Sequence, residues 1–189
     1  MRKLKDDLAG CLKNHNTSKE LIYKAFYGYV MGVILRYIND RHDSEELVND
    51  SFIKIFKNIS QFSLPDDHGE SDKAFKGWIA RISSRTAIDF LRSKKTWLYV
   101  EDMKEDQQPF TEVNVISQLN VQDILNLLNA LPEMHRLIFN MYEIEGFSHD
   151  EIAEMLNIPV SSSRVYLTRA KNKLRELYSN TLIPAYATN

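Results

Sequence analysis

The chain has 189 residues, 43% of them hydrophobic, with 26 acidic against 24 basic residues and a formal net charge of -2. That composition suits one ordinary folded domain or two small ones and excludes an intrinsically disordered chain. No apolar run reaches the roughly 18 residues a membrane span needs, and the start, Met1-Arg-Lys-Leu-Lys-Asp-Asp-Leu8, lacks the apolar core of a secretory signal, so a cytoplasmic protein without membrane insertion is expected.

Cys11 is the lone cysteine, which rules out an intrachain disulfide, and it reads as a small buried residue rather than a nucleophile. The five histidines, His15, His42, His68, His135 and His149, show no paired ligand spacing, so neither a metal nor another cofactor is expected. Helical period dominates and strand signals are weak, which predicts an all-α fold with helices near 17–38, 43–60, 72–95, 118–130, 133–144, 148–156 and 160–178.

In the second of these helices, Leu47, Val48, Ser51, Phe52, Ile55, Phe56 and Ile59 form a wide apolar face. Asp43, Glu45 and Glu46 crowd its first turn, where the helix dipole favours acids. The outer face, with Glu46, Asn49, Asp50, Lys54 and Lys57, is a mixed surface better suited to a protein partner than to phosphate. On these residues alone an ordinary solvated face is the stronger reading. A loop follows at Ser63 to Ser71, where Pro65, Asp66, Asp67 and Gly69 supply turn chemistry.

From Lys73 to Lys95 seven basic residues stand against a single acid, Asp89. At about 100° per residue Phe75, Ile79, Ile82 and Phe90 share a core stripe, and Arg81, Arg85 and Arg92 fall in a narrow arc beside it. Trp78 lies at their shared edge. Two readings of Trp78 are equally open: a core residue, or a platform on which unstacked bases sit while the arginines hold the strand's backbone. The next stretch, 96–117, holds five acids (Glu101, Asp102, Glu105, Asp106, Glu112) against Lys104 and reads as a flexible acidic linker. The chain therefore divides into a helical domain at 1–95, a linker at 96–117 and a second helical domain at 118–189.

The last segment carries the most specific signal. Ser148 followed by Glu151 is a capping box opening a short helix, Asn157 suits a turn with positive φ, and Pro159 can only begin a new helix. In that new helix Ser163, Leu167, Ala170, Leu174 and Leu177 line one stripe, with Ser163 its only polar member. Ser161, Val165, Thr168, Arg169 and Asn172 face the other way, and Arg164, Lys171 and Arg175 occupy a flank. Five basic residues against Glu176 give this helix a local +4 in a chain of net negative charge. A short capped helix, a turn and a basic amphipathic helix make a helix-turn-helix suited to duplex DNA.

With these elements in hand, the chain resembles the extracytoplasmic-function class of bacterial RNA polymerase sigma factors over nearly its whole length. Asp43-Ser-Glu-Glu-Leu-Val-Asn-Asp-Ser-Phe-Ile-Lys-Ile-Phe56 is similar to the part of the family's region 2 that docks on the polymerase clamp. Phe75-Lys-Gly-Trp-Ile-Ala-Arg-Ile82 and Ala87-Ile-Asp-Phe-Leu-Arg92 are similar to the parts that melt and read the minus-ten element. Leu131-Pro132, Ile144 to Leu156 and the helix after Pro159 are similar to region 4, which reads the minus-thirty-five element.

The resemblance implies a promoter-directing subunit with no chemistry of its own. It also implies core RNA polymerase and promoter DNA as partners, control by an anti-sigma protein, and a linker that threads into the polymerase. Carried over residue by residue, it places Arg164, Val165, Thr168 and Arg169 in the major groove, with Ser161 and Lys171 beside them, and His149 and Asp150 at the DNA backbone. Lys73, Trp78, Arg81, Arg85, Arg92 and the loop from Phe62 to Asp72 fall to the minus-ten element, and Asp43, Glu46, Asn49, Asp50 and Lys54 to the polymerase. The chain departs from the family pattern at Ser163, where valine is common, at Tyr166 (arginine), at Asn157 (glycine) and at Arg85 (asparagine).

A conventional helix-turn-helix regulator with a sensing or dimerising N-terminal half is the rival reading. The cationic stripe beside Trp78 argues against it, since a sensing domain has no use for one. An enzyme acting on nucleic acid would need clustered acids or a nucleophile with its base, and the sequence shows neither.

Overall fold

In the computed structural model, which describes residues 4–65, 70–94 and 121–182, every regular element is helical. The chain divides into two compact units, Met1–Lys94 and Lys95–Asn189. The expected linker at 96–117, the first three residues of the helix expected from 118, and the loop residues 66–69 lie outside the described residues.

The first unit contains α1 (Leu4–Leu12), α2 (Asn16–Ile34), α3 (Arg41–Lys57), a short 3-10 turn (Ile59–Gln61) and α4 (Ser71–Ser93). Helices α2, α3 and α4 pack pairwise around Val30, Val33, Ile34, Val48, Ile55, Phe75 and Ile79, all fully buried. Helix α1 was not anticipated from the sequence. It docks on α2 where Gly10 approaches Ser18 so closely that a Cβ would stand 2.0 Å from Ser18 Oγ. Asn14 turns the chain between them in the left-handed region, at φ 61°. Asp40 caps α3 by accepting the Asp43 N–H at 2.9 Å.

The buried face of α4 is rotated from the expected stripe. Phe75 and Ile79 are buried as expected, but Ile82 and Phe90 are only half-buried, and Ser83, Ser84, Thr86, Ala87 and Ile88 lie inside instead. Small side chains let α4 approach its neighbours closely. Their hydroxyls bond back to their own helix, Ser83 to the Ile79 carbonyl at 2.8 Å and Thr86 to that of Ile82 at 2.9 Å, which removes the cost of burying them.

The second unit contains α5 (Val121–Asn129), α6 (Glu133–Phe139), one π-helical turn (Asn140–Ile144), α7 (His149–Leu156) and α8 (Val160–Leu182). The helix expected over 133–144 thus changes winding after Phe139. Gly146 takes φ 71°, and the Phe147 N–H reaches back to the Met141 carbonyl at 2.9 Å, which brings Phe147 into the core. Helix α8 packs on α5, α6 and α7, with Ser163, Leu167 and Ala170 buried and Leu174 against the Leu128, Leu131 and Ala170 cluster, the stripe read from the sequence.

Candidate nucleic-acid interfaces

The helix-turn-helix forms as its sequence dictates. Ser148 Oγ accepts the Glu151 N–H at 3.2 Å, while Glu151 Oε2 accepts the Ser148 N–H at 2.9 Å, so the capping box closes in both directions. Asn157 ends α7 at φ 53° and ψ 49°, the left-handed geometry that asparagine tolerates. Ser161, Arg164, Val165 and Thr168 are exposed on α8, and Arg169 is half-buried. Val165 stands 39% open to solvent, an apolar side chain among polar ones. Thr168 donates its hydroxyl to the Arg164 carbonyl at 3.0 Å.

Other members of the set differ in their engagement. Lys171 is half-buried and pairs with Glu143 of the π-turn at 2.6 Å, so its charge is partly balanced within the fold. Lys173 pairs with Glu176 at 2.9 Å. His149 is turned toward its own fold: Nδ1 lies 2.9 Å from Ser163 Oγ, and the ring stacks on Tyr142 with centroids 4.3 Å apart. Burial first, then the charge of Arg164, holds this imidazole below its ordinary pKa. Asp150 is exposed beside it. His135, beside Tyr166 at 5.5 Å between ring centroids, is likewise shifted down by burial and then by Arg169.

In the first unit Arg85 and Arg92 are exposed and Arg81 is half-buried, so the guanidinium row stays out of the core. Arg92 lies 3.9 Å from Asp89, and the exposed Lys73 lies 3.9 Å from Glu70. Trp78 is neither fully in the core nor free of it. It is half-buried, with one side against Phe75 at 5.9 Å and Phe62 at 5.3 Å between centroids. Phe62 also meets Phe75 edge-on at 5.2 Å, so the start of the 62–72 loop is tied to α4 by an aromatic trio.

On α3, Glu46, Asn49 and Asp50 are exposed and Lys54 is half-buried. Asn49 accepts a hydrogen bond from Tyr23 at 2.9 Å, and Lys54 lies 3.8 Å from Asp89. Asp43 is different: it bonds Lys94 at 2.7 Å, tying the start of α3 to the end of α4. The residue missed in reading this face is Ile53, 65% exposed between Asn49, Asp50 and Lys57. The signal available was an apolar residue out of step with the buried stripe.

Among the described residues no helix is long and apolar enough to cross a membrane, and no three His, Cys, Asp or Glu side chains gather to hold a metal ion. A helix-turn-helix in one unit and an aromatic-cationic helix face in the other define a DNA-binding protein of two helical modules.

Comparison with known proteins makes the class specific. Residues 22–96 match Sigma-70 region 2, and residues 121–174 match Sigma-70, region 4. The chain is 30% identical over 141 residues to the RNA polymerase sigma factor SigZ of Bacillus subtilis, covering 75% of this chain and 78% of that protein. It is 28% identical over 176 residues to the ECF RNA polymerase sigma-E factor of Haemophilus influenzae, covering 87% of each. The fold matches the sigma factor RpoE of Bartonella quintana, solved in complex with the anti-sigma factor NepR, with a TM-score of 0.50, 17% identity, and coverage of 85% of this chain and 96% of that one. The chain belongs to the sigma-70 family in its extracytoplasmic-function class, and it directs RNA polymerase to initiate at specific promoters rather than acting as a free-standing regulator.

Proposed function

We propose that the two units divide promoter recognition between them: residues 118–189 read the minus-thirty-five duplex, residues 1–95 dock on the polymerase clamp and open and read the minus-ten element, and 96–117 tether the two. The observation that carries this is that the Arg81, Arg85 and Arg92 row stays outside the core beside a half-exposed Trp78. A parted strand offers bases to stack and phosphates to hold, and this face supplies both kinds of group.

On α8, Arg164 and Arg169 pair with base edges, Val165 and Thr168 make apolar contact in the groove, and Ser161 and Lys171 hold phosphate. His149 and the backbone at Asp150 meet the DNA strand at the head of α7. Phe62 and Lys73 flank the flipped base at the 62–72 loop, where extrusion costs a few kcal/mol that stacking and phosphate contacts offset. Asp43, Glu46, Asn49, Asp50 and Lys54 form the polymerase-facing side of α3, with Ile53 as its apolar anchor.

Nucleotide addition belongs to the polymerase, so this chain contributes binding and strand opening and no catalysis. It works in the cytoplasm, and an anti-sigma protein that covers the polymerase-binding faces holds it inactive. The partner in the Bartonella quintana complex supports that mode of control. Purified chain added to core polymerase on genomic DNA is expected to yield transcripts from a defined set of start sites; repression, or start sites unchanged from core polymerase alone, would overturn the proposal.

A further inference from the structure

Ser163 occupies the core stripe of α8 and is fully buried, at 0% exposure. A hydroxyl in that position costs free energy unless it is bonded. Ser44, Ser51 and Ser83, also fully buried, solve this within their own helices by donating to the carbonyl four residues back, at 2.6, 2.7 and 2.8 Å. Ser163 does not. Its Oγ crosses to another helix and meets Nδ1 of His149 at 2.9 Å, and no second partner of that oxygen is found among the described residues.

The direction of this bond follows from the burial. If Nδ1 carried the proton and donated it to Oγ, the hydroxyl's own proton would be left buried without an acceptor. With Oγ–H donating to Nδ1 both groups are satisfied, and the imidazole proton must sit on Nε2. Tyr142 stacks on the ring with 23° between planes and fixes its orientation. His149 is the first residue of α7 and is only half-buried, so the ring is open to solvent on part of its surface at the head of the helix-turn-helix.

The charged groups around the ring are Arg164 and Lys171 on α8, Asp150 on α7, and Glu143 on the π-turn, paired to Lys171. Burial and the two cations disfavour the imidazolium, while Asp150 opposes them.

We infer that Ser163 is a positioning residue that locks His149 in its neutral Nε2–H tautomer, so that His149 meets the DNA backbone as an uncharged, directional donor to a phosphate oxygen. This rests on the proposed binding of duplex DNA by the second unit. It adds a role for a buried residue that touches no DNA.

The test has two arms, both on the full chain. Long-range proton–nitrogen correlation on labelled protein at pH 7.5 should show His149 with a bare Nδ1 and a protonated Nε2, and Ser163→Ala should give a tautomer mixture in a second unit that stays folded, as the retained amide chemical shifts of α7 and α8 would show. An imidazolium or Nδ1–H form in the parent, or the same tautomer in S163A, overturns the lock.

In the second arm, binding to a short duplex of mixed sequence is measured against salt. His149→Ala should weaken binding about tenfold, His149→Gln, which keeps an amide donor at similar reach, should restore most of it, and S163A should weaken binding only when His149 is present. The salt slope should not change in H149A, whereas loss of a charged contact would flatten it by about 0.9. A flattened slope, or an equal S163A effect in the H149A background, overturns the donor role. A chain that binds duplex as expected yet fails to direct core polymerase counts against the proposed function and leaves the lock standing.

Discussion

Two histidines give the second unit a pH response whose sign can be worked out from their surroundings. His135 and His149 are both held below the ordinary histidine pKa, each by burial first and then by a neighbouring arginine, Arg169 and Arg164 respectively. A group depressed in the fold binds its proton more readily in the unfolded chain, so its contribution is fully present above about pH 6.5 and is lost as pH falls from there through the lower pKa of the folded state. The melting temperature of the second unit is therefore expected to fall below pH 6.5. His135→Phe, which removes a buried Nδ1 with no partner among the described residues, should flatten that dependence in thermal melts followed by circular dichroism.

The residues proposed to read bases make a separate prediction at the same scale. Arg169→Ala is expected to weaken minus-thirty-five binding by roughly 1–3 kcal/mol and to relax base preference. Lys173→Ala should act evenly across sequences and weakly, because Lys173 already has Glu176. A panel of duplexes differing at single positions measures both; equal losses on every duplex for the two variants would refute the assignment.

Among the helices, local chemistry and packing contribute unequally, and substitutions separate them. Ser148→Ala opens the capping box and should cost about 1 kcal/mol. Asn157→Ala should cost a similar amount, about 1 kcal/mol, because alanine resists the left-handed turn, and Asn157→Gly should be close to neutral. Those two sites were legible because capping and turn chemistry act over three or four residues of sequence.

Helix α1 was not legible, since Gly10 lowers its intrinsic propensity and the helix is only nine residues long. Its stability comes from docking on α2. Gly10→Ala should drive a methyl into Ser18 and destabilise the first unit by about 1–3 kcal/mol, read by chemical denaturation. The rotated face of α4 escaped notice for a related reason: Ser83, Ser84 and Thr86 look polar in sequence, and only their bonds back to the helix make them interior residues. The π-turn after Phe139 inserts a change of winding that hydrophobic period does not register.

For the molecule as a whole, binding to polymerase and binding to DNA are expected to separate by mutation. Ile53 is exposed on α3, so Ile53→Asp should leave the stability of the first unit within about 0.5 kcal/mol of the parent's. It should weaken assembly with core polymerase by about tenfold or more, as loss of a central apolar anchor does. Binding of the minus-thirty-five duplex by the second unit should be unaffected. Native gel titration with core polymerase and a duplex-binding assay on the same preparation check both halves of this expectation.

By itself the sequence determined the all-helical class, the capped helix-turn-helix and the segregation of positive charge onto two helices of a chain whose net charge is negative. Each of these depends on neighbours within a turn or two, or on composition alone. Tertiary structure decided which groups are already engaged: Asp43 with Lys94, Lys171 with Glu143, and His149 with Ser163, pairs separated by 14 to 51 positions along the chain. It also decided that Trp78 is shared between an aromatic cluster and an open face. Such pairings arise where helices cross, and a helical period specifies which side of a helix is apolar without specifying what stands opposite it.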